Sequence, residues 1–309
     1  MEILQQMIVL FIIMGIGLAA YKSNIITSET RGKLSSIVVN IANPALILSS
    51  VSGEAVNIKN MELLKTLGIA VIVYLILIIL AAVIPALIGT EPSSRGVYSA
   101  MTVFSNIGFM GFPIISEIYG NEALLYGSIF LLPYNILIYT YGISLMDKGE
   151  NKEKGPGIQW RKIFNNGVIA CMLTLILFFT KIPVPYVAAK TIEMVSSLTA
   201  PLSMMVIGAS LAVISVKEMI TDRKMLLFVV IRQFILPITL SLLVFSVLSN
   251  QLLCGVCMIM LSTPVGSMTS MLAEEYNGNY ELASKGVAIT TIVSVISLPV
   301  VSYIVNFVF

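Results

Sequence analysis

The polar side chains of this chain that could do chemistry in an apolar setting stand beside helix breakers. Asn106 opens Asn106-Ile107-Gly108-Phe109-Met110-Gly111-Phe112-Pro113, and Ser262, Thr263 and Ser267 surround Pro264 and Gly266 in Leu261-Ser262-Thr263-Pro264-Val265-Gly266-Ser267. Asn40 and Asn43 precede Pro44, and Pro201 interrupts a similar stretch, Thr199-Ala200-Pro201-Leu202-Ser203. Proline cannot donate to the carbonyl four residues back and clashes with it, while glycine lets the backbone turn or be approached closely. A half-helix that restarts after such a break presents unpaired N–H groups and a positive dipole end, which is chemistry for an anion. Neutral amides and hydroxyls add hydrogen bonds, and one cation, Arg232, lies in otherwise apolar text. This donor set suits a small carboxylate better than a metal ion. The expected substrate contacts are therefore Asn40, Asn43, Asn106, Ser262, Thr263, Ser267 and Arg232. The expected helix breaks are Gly108, Gly111 and Pro113, then Pro264 and Gly266, with Pro44 and Pro201 as a second pair.

What is missing narrows the function further. The chain has no histidine, so the commonest general base, zinc ligand and pH switch are absent together. No Asp or Glu falls near the middle of an apolar run; Glu117, Glu274 and Glu275 stand at run ends. Cation-coupled exchangers usually keep carboxylates at the ion site. Cys254-Gly255-Val256-Cys257 has the spacing of a redox or metal pair, but its neighbours are apolar and packing is the better reading. Without a base, a metal centre or a phosphate cradle, no catalytic residue, metal or cofactor is expected and the chain reads as a non-enzyme. Its net charge of +2 points to no nucleic-acid partner.

These residues need elements to hold them, and composition says which. Of 309 residues 57% are hydrophobic and 11% charged, and the mean hydropathy is +0.97. Ordinary globular chains carry about 25% charged residues. The partner of such a chain is a lipid bilayer, and the fold class is an all-α polytopic membrane protein. The first apolar run has no basic residues before it and reads as a membrane helix rather than a cleavable signal. Ten helices are predicted, over about 5–21, 34–52, 63–87, 96–119, 123–146, 164–179, 191–214, 225–248, 251–274 and 282–307. Pro44 is echoed by Pro201 and Pro113 by Pro264, so residues 1–146 and 163–309 read as two five-helix repeats joined by a charged linker, 147–162. An odd helix count inserts the second repeat upside down, and paired breaks in inverted repeats are a mark of secondary transporters.

Lysine and arginine set the orientation. Lys22, Arg31, Lys33, Arg95, Lys148, Lys152, Lys154, Arg161, Lys162, Lys217, Arg223, Lys224 and Lys285 fall on one side, against Lys59, Lys65, Lys181 and Lys190 on the other. Both termini are therefore expected outside the cell and the linker inside. Arg232 belongs to neither set. It lies about 12 Å along its helix from Lys224, inside a half-bilayer of about 15 Å. It must face water, an anion or helix carbonyls.

Several of these stretches resemble the auxin efflux carrier family of membrane transporters, which includes plant auxin exporters and bacterial organic-acid permeases. Thr263-Pro264-Val265-Gly266, Leu272-Ala273-Glu274-Glu275-Tyr276-Asn277, Glu281-Leu282-Ala283 and Thr291 through Ser297-Leu298-Pro299 look like the family's last two helices. Asn106 through Pro113 with Ile118-Tyr119-Gly120 resembles its fourth, and Asn40 through Pro44-Ala45-Leu46 its second. The resemblance implies a bile-acid-symporter-like shape, a scaffold of the first, second, sixth and seventh helices, and a transport domain in which broken helices four and nine cross. It implies a permease in the cell membrane; the small organic anion rests on the donor set above, since substrate identity does not transfer with the resemblance. Proton coupling, sodium coupling, a homodimer, an anion channel and a non-transporting receptor all stay open at this stage.

Overall fold

The computed structural model describes residues 2–52, 60–146, 163–212 and 222–308. The expected linker, 147–162, lies outside these residues, as do Lys59 and Lys217. Every element is helical; among the described residues the extended pairing is a single isolated bridge. Seven stretches are long and apolar enough to cross a bilayer: Gln5–Lys22, Ser28–Ser52, Asn60–Leu87, Glu122–Met146, Tyr186–Leu211, Arg223–Val247 and Tyr280–Val308. Three shorter apolar helices, Ile107–Gly120, Asn166–Thr180 and Gln251–Ser262, accompany them.

In chain order the helices are α1 (Glu2–Lys22), α2 (Ser28–Ile37), α3 (Asn43–Ser52), α4 (Asn60–Leu87), α5 (Pro92–Val103), α6 (Phe112–Leu137), α7 (Ile143–Met146) and α8 (Asn166–Thr180). There follow α9 (Tyr186–Ser196), α10 (Thr199–Leu211), α11 (Arg223–Val230), α12 (Leu236–Val247), α13 (Gln251–Ser262), α14 (Ser267–Glu275) and α15 (Tyr280–Val308). The second span begins at Ser28, several residues before the apolar run that announces it. Its first turns are polar, but Thr27 caps them by accepting from Thr30 N, and Lys33 pairs with Glu29 at 2.6 Å along the exposed face. α6 is two helices joined at Gly120, whose φ of 76° a side chain would strain.

Four π-helical turns punctuate the spans, at Val38–Ala42, Ile107–Gly111, Ile138–Gly142 and Ile231–Ile235. Three of them are followed directly by a helix whose second residue is proline: Pro44, Pro113 and Pro237. The cause is local. A proline without an N–H releases the carbonyl four residues back, and widening the preceding turn by one residue re-seats the others. This corrects the expectation for Pro44, which sits in an uninterrupted span, Ser28–Ser52, and not in a break. Pro201 also lies inside a continuous span, Tyr186–Leu211, in the first turn of α10, where a missing N–H has no intrahelical partner to lose.

Apolar side chains on α4 separate cleanly by face. Leu63, Ala70, Tyr74, Leu77, Ala81 and Ile84 are buried at helical spacing, whereas Leu64, Ile72, Leu75, Ile79 and Leu87 are more than half exposed. Outside a membrane a stripe of that size would be an aggregation surface. Helix α1 packs along α10 through glycines placed reciprocally: a Cβ on Gly17 would run into the Met205 carbonyl, and one on Gly208 into the Met14 carbonyl. Such close approach supplies the packing that holds helices together in lipid, where burial itself contributes little. Gly208→Ala is expected to lower the melting temperature of the purified protein, by overpacking of about 1–3 kcal/mol. Gly15→Ala, where nothing lies within 4 Å, is expected to leave melting unchanged.

Candidate functional site

The two glycine- and proline-rich interruptions meet. Helix α5 ends at Val103, and Phe104 turns the chain into an extended conformation; α13 ends at Ser262, and Thr263 does the same. The extended pieces pair antiparallel, Ser105 against Val265. Asn106 N donates to Pro264 O at 2.8 Å and Gly266 N to Phe104 O at 2.9 Å. Glycine is needed at 266, because a Cβ there would lie 2.9 Å from Ser105 O. Backbone groups freed by one break are thus satisfied by the other, as an apolar surrounding demands. Val265 N is taken by Thr290 Oγ1 at 3.1 Å, a contact from α15.

Beyond the crossing the chain restarts as two helices. Asn106 caps the first, its Oδ1 accepting from Phe109 N at 3.3 Å, and no acceptor among the described residues receives its Nδ2. Gly266 begins the second without any side-chain cap, so the first N–H groups of α14 lack an intrahelical partner. Asn43 reaches this region from α3, donating through Nδ2 to Gly108 O at 3.0 Å. Its Oδ1 is buried without a partner. Phe104 through Ile107 and Leu261 through Gly266 are buried, whereas Gly108, Phe109, Ser267 and Met268 are partly exposed. The crossing is therefore accessible on the side of its two helix N-termini.

Its opposite side is closed by Arg232, 1% exposed in the π turn between α11 and α12. Nε donates to Met101 O at 3.2 Å, Nη1 to Leu261 O at 3.0 Å, and Nη2 to Ser105 Oγ. Met101 and Leu261 lie in the last turns of α5 and α13, where carbonyls have no intrahelical donor. Of the three settings open to it in the sequence, water, an anion or helix carbonyls, this is the third. Beside it Gln233, also fully buried, donates through Nε2 to Thr290 O at 2.7 Å and so ties the same turn to α15.

The remaining expected contacts divide. Ser262 and Thr263 are buried at the crossing with their hydroxyls donating to carbonyls of their own helix, Met258 O at 2.6 Å and Met260 O at 3.0 Å. Ser267 opens α14 on the accessible side. Asn40 stands apart. Its amide bonds back to Ser36, while Asn166 of α8 donates to both its side-chain oxygen and its backbone carbonyl, the carbonyl that Pro44 releases. Sequence reasoning missed Ser105, Gln233 and Thr290. Nothing in a single sequence pairs residues 25 or more positions apart, although two of these three adjoin residues it singled out.

The chain matches the family described as Membrane transport protein over residues 2–302. An uncharacterized transporter of Methanocaldococcus jannaschii is 24% identical over 302 residues, covering 93% of this chain and 95% of its own length. An uncharacterized transporter of Methanothermobacter thermautotrophicus is 23% identical over 287 residues, covering 91% of each. Arg232→Leu is expected to reduce the yield and melting temperature of folded protein. It removes three hydrogen bonds to a charged group, each of about 1.5–3 kcal/mol, and leaves their acceptors buried. Arg232→Lys should recover part of the loss, because charge survives but the planar fork does not. Unchanged melting of Arg232→Leu in size-exclusion-purified protein would rule out this role.

Proposed function

We propose a function from the premise that this chain belongs to the membrane transport protein family, the family of the auxin efflux carriers. The reading is of a secondary transporter in the cell membrane that carries a small organic anion, a mono- or dicarboxylate, by alternating access. Residues 1–146 and 163–309 form two inverted repeats of five transmembrane helices on this reading, with a cytoplasmic linker, 147–162, and both termini outside. Seven long and three shorter apolar helices are consistent with ten crossings.

The observation that carries the reading is the polarity of the crossing. Both broken helices run through it so that their C-terminal ends meet Arg232 and the helix N-termini beyond them lie on the accessible side. A helix N-terminus favours an anion by about half an elementary charge together with N–H donors. The site then consists of the first turns after each break. Asn106 offers its free Nδ2 to a carboxylate oxygen while Oδ1 holds the cap. The α14 N–H groups and Ser267 approach from the other break, and Asn43 from α3. Arg232, Ser262 and Thr263 serve this site by fixing the shape of the crossing. No buried cation has to be stripped from the substrate for release, which suits a carrier that must let go on both sides.

Uptake of mono- and dicarboxylates into proteoliposomes, with and without sodium and at two pH values, tests the class of substrate and the coupling. Two variants locate the site. Asn106→Ala is expected to raise the half-saturation concentration about ten- to 150-fold, the equivalent of one hydrogen bond to a charged group. Asn106→Asp keeps an acceptor for the Phe109 cap but replaces the donor with a negative charge. It should fold and melt near the parent while losing anion uptake. Normal uptake by folded Asn106→Asp protein would place the substrate elsewhere. For the orientation, a cysteine replacing Lys152 is expected to resist impermeant thiol reagents in intact cells and to react after permeabilisation.

A further inference from the structure

A small cavity of about 10 Å³ lies on the closed side of the crossing, lined by Val73, Tyr74 and Leu77 of α4, Val103 and Ser105 of the first break, and Leu261 of the second, among others. Most of its wall is apolar, which by itself would favour an empty void. Three of the lining residues carry polar groups that argue otherwise. Tyr74 is 4% exposed, yet its hydroxyl makes no hydrogen bond within the described residues. Ser105 Oγ accepts from Arg232, but its own O–H has no acceptor there. Val103 closes α5, and its carbonyl is among the last four of the helix, which lack intrahelical donors. Two of its neighbours are accounted for, Ala100 O by Phe104 N and Met101 O by Arg232, whereas no described donor reaches Val103 O.

We infer that this cavity holds one ordered water molecule bound by Tyr74, Ser105 and the Val103 carbonyl. A buried water requires about 10–15 Å³ and two to four polar partners, and here both conditions are met. The water accepts hydrogen bonds from the hydroxyls of both Tyr74 and Ser105 and donates to the Val103 carbonyl, so each otherwise unmatched group finds a partner. An unmatched buried donor or acceptor would be destabilising. A monatomic anion is the poorer occupant, because the Arg232 charge beside the cavity already faces two helix C-termini. Through the water, Tyr74 becomes a positioning residue for the crossing: it links α4, which contributes no residue to the break pairing, to the end of α5. This inference does not depend on the proposed substrate.

The test uses the full chain in lipid nanodiscs. A cryo-electron microscopy map fine enough to show other buried waters is expected to show one solvent peak within hydrogen-bond distance of Tyr74 Oη and Ser105 Oγ. Tyr74→Phe should lose the peak and melt lower. Leu77→Met, which extends an apolar chain toward the space, separates wet from dry. Expelling a bound water leaves its partners unmatched and lowers the melting temperature, whereas filling a dry void raises it. A cavity without solvent density, or a Leu77→Met protein that melts above the parent, would overturn the assignment.

Discussion

A guanidinium held between the C-terminal ends of two half-helices is the interaction on which the crossing depends. Each helix end carries about half a negative elementary charge. Met101 and Leu261 bring two such ends to Arg232, so the two together balance one cation without any carboxylate from the described residues. An isolated arginine in hydrocarbon would be costly. Equally, two helix ends facing each other across 104–106 and 263–266 would repel and leave carbonyls unpaired. Each problem is the solution of the other, and neither break could be closed alone.

The same logic of released groups and nearby acceptors runs through the rest of the fold. Proline at the second residue after a π turn recurs at Pro44, Pro113 and Pro237, and each time the turn takes up the missing N–H differently. At Pro44 the freed Asn40 carbonyl is taken by Asn166, and the span stays continuous. At Pro113 the turn begins at the crossing, so the freed region adjoins the accessible side. At Pro237 the π turn itself contains Arg232 and Gln233 and aims both side chains inward. Proline thus acts here less as a helix terminator than as a local widening of the helix, and what stands opposite the widened turn decides its use.

This explains how much of the structure could be read from residues alone. The two interruptions were legible because glycine and proline act on the backbone locally, but the first falls at 104–106, ahead of Gly108, Gly111 and Pro113, which lie in the helical turns that follow. The cap at Asn106 is likewise local, being three residues from Phe109. Pro44 and Pro201 were misread as breaks, since a sequence shows the missing N–H but not whether the preceding turn can widen or the proline falls in a first turn. Asn40 was placed at the site by its closeness to Asn43. Three residues along a helix at a π turn point in different directions, and its partner Asn166 lies 126 positions away. Arg232 was legible as an anomaly but not as a clamp, because its acceptors are backbone carbonyls, which every residue possesses.

The clamp also limits what the positive charge of Arg232 can do for a bound anion. Its Nε and one N–H of each terminal nitrogen are committed to the C-terminal side, and the Ser105–Val265 pairing stands between that side and the accessible first turns. Field from the guanidinium is largely cancelled by the helix ends it touches, whereas field from the N-termini beyond the pairing is not. On the proposed reading, an anion approaching Gly108 and Ser267 would therefore meet oriented dipoles in place of a full charge. Dipoles lose strength within about one helical turn, so attraction is confined to the immediate site. The contrast with a bare buried arginine is one of range: such a cation would hold an anion along much of its path, while two half-helix ends hold it only where they converge.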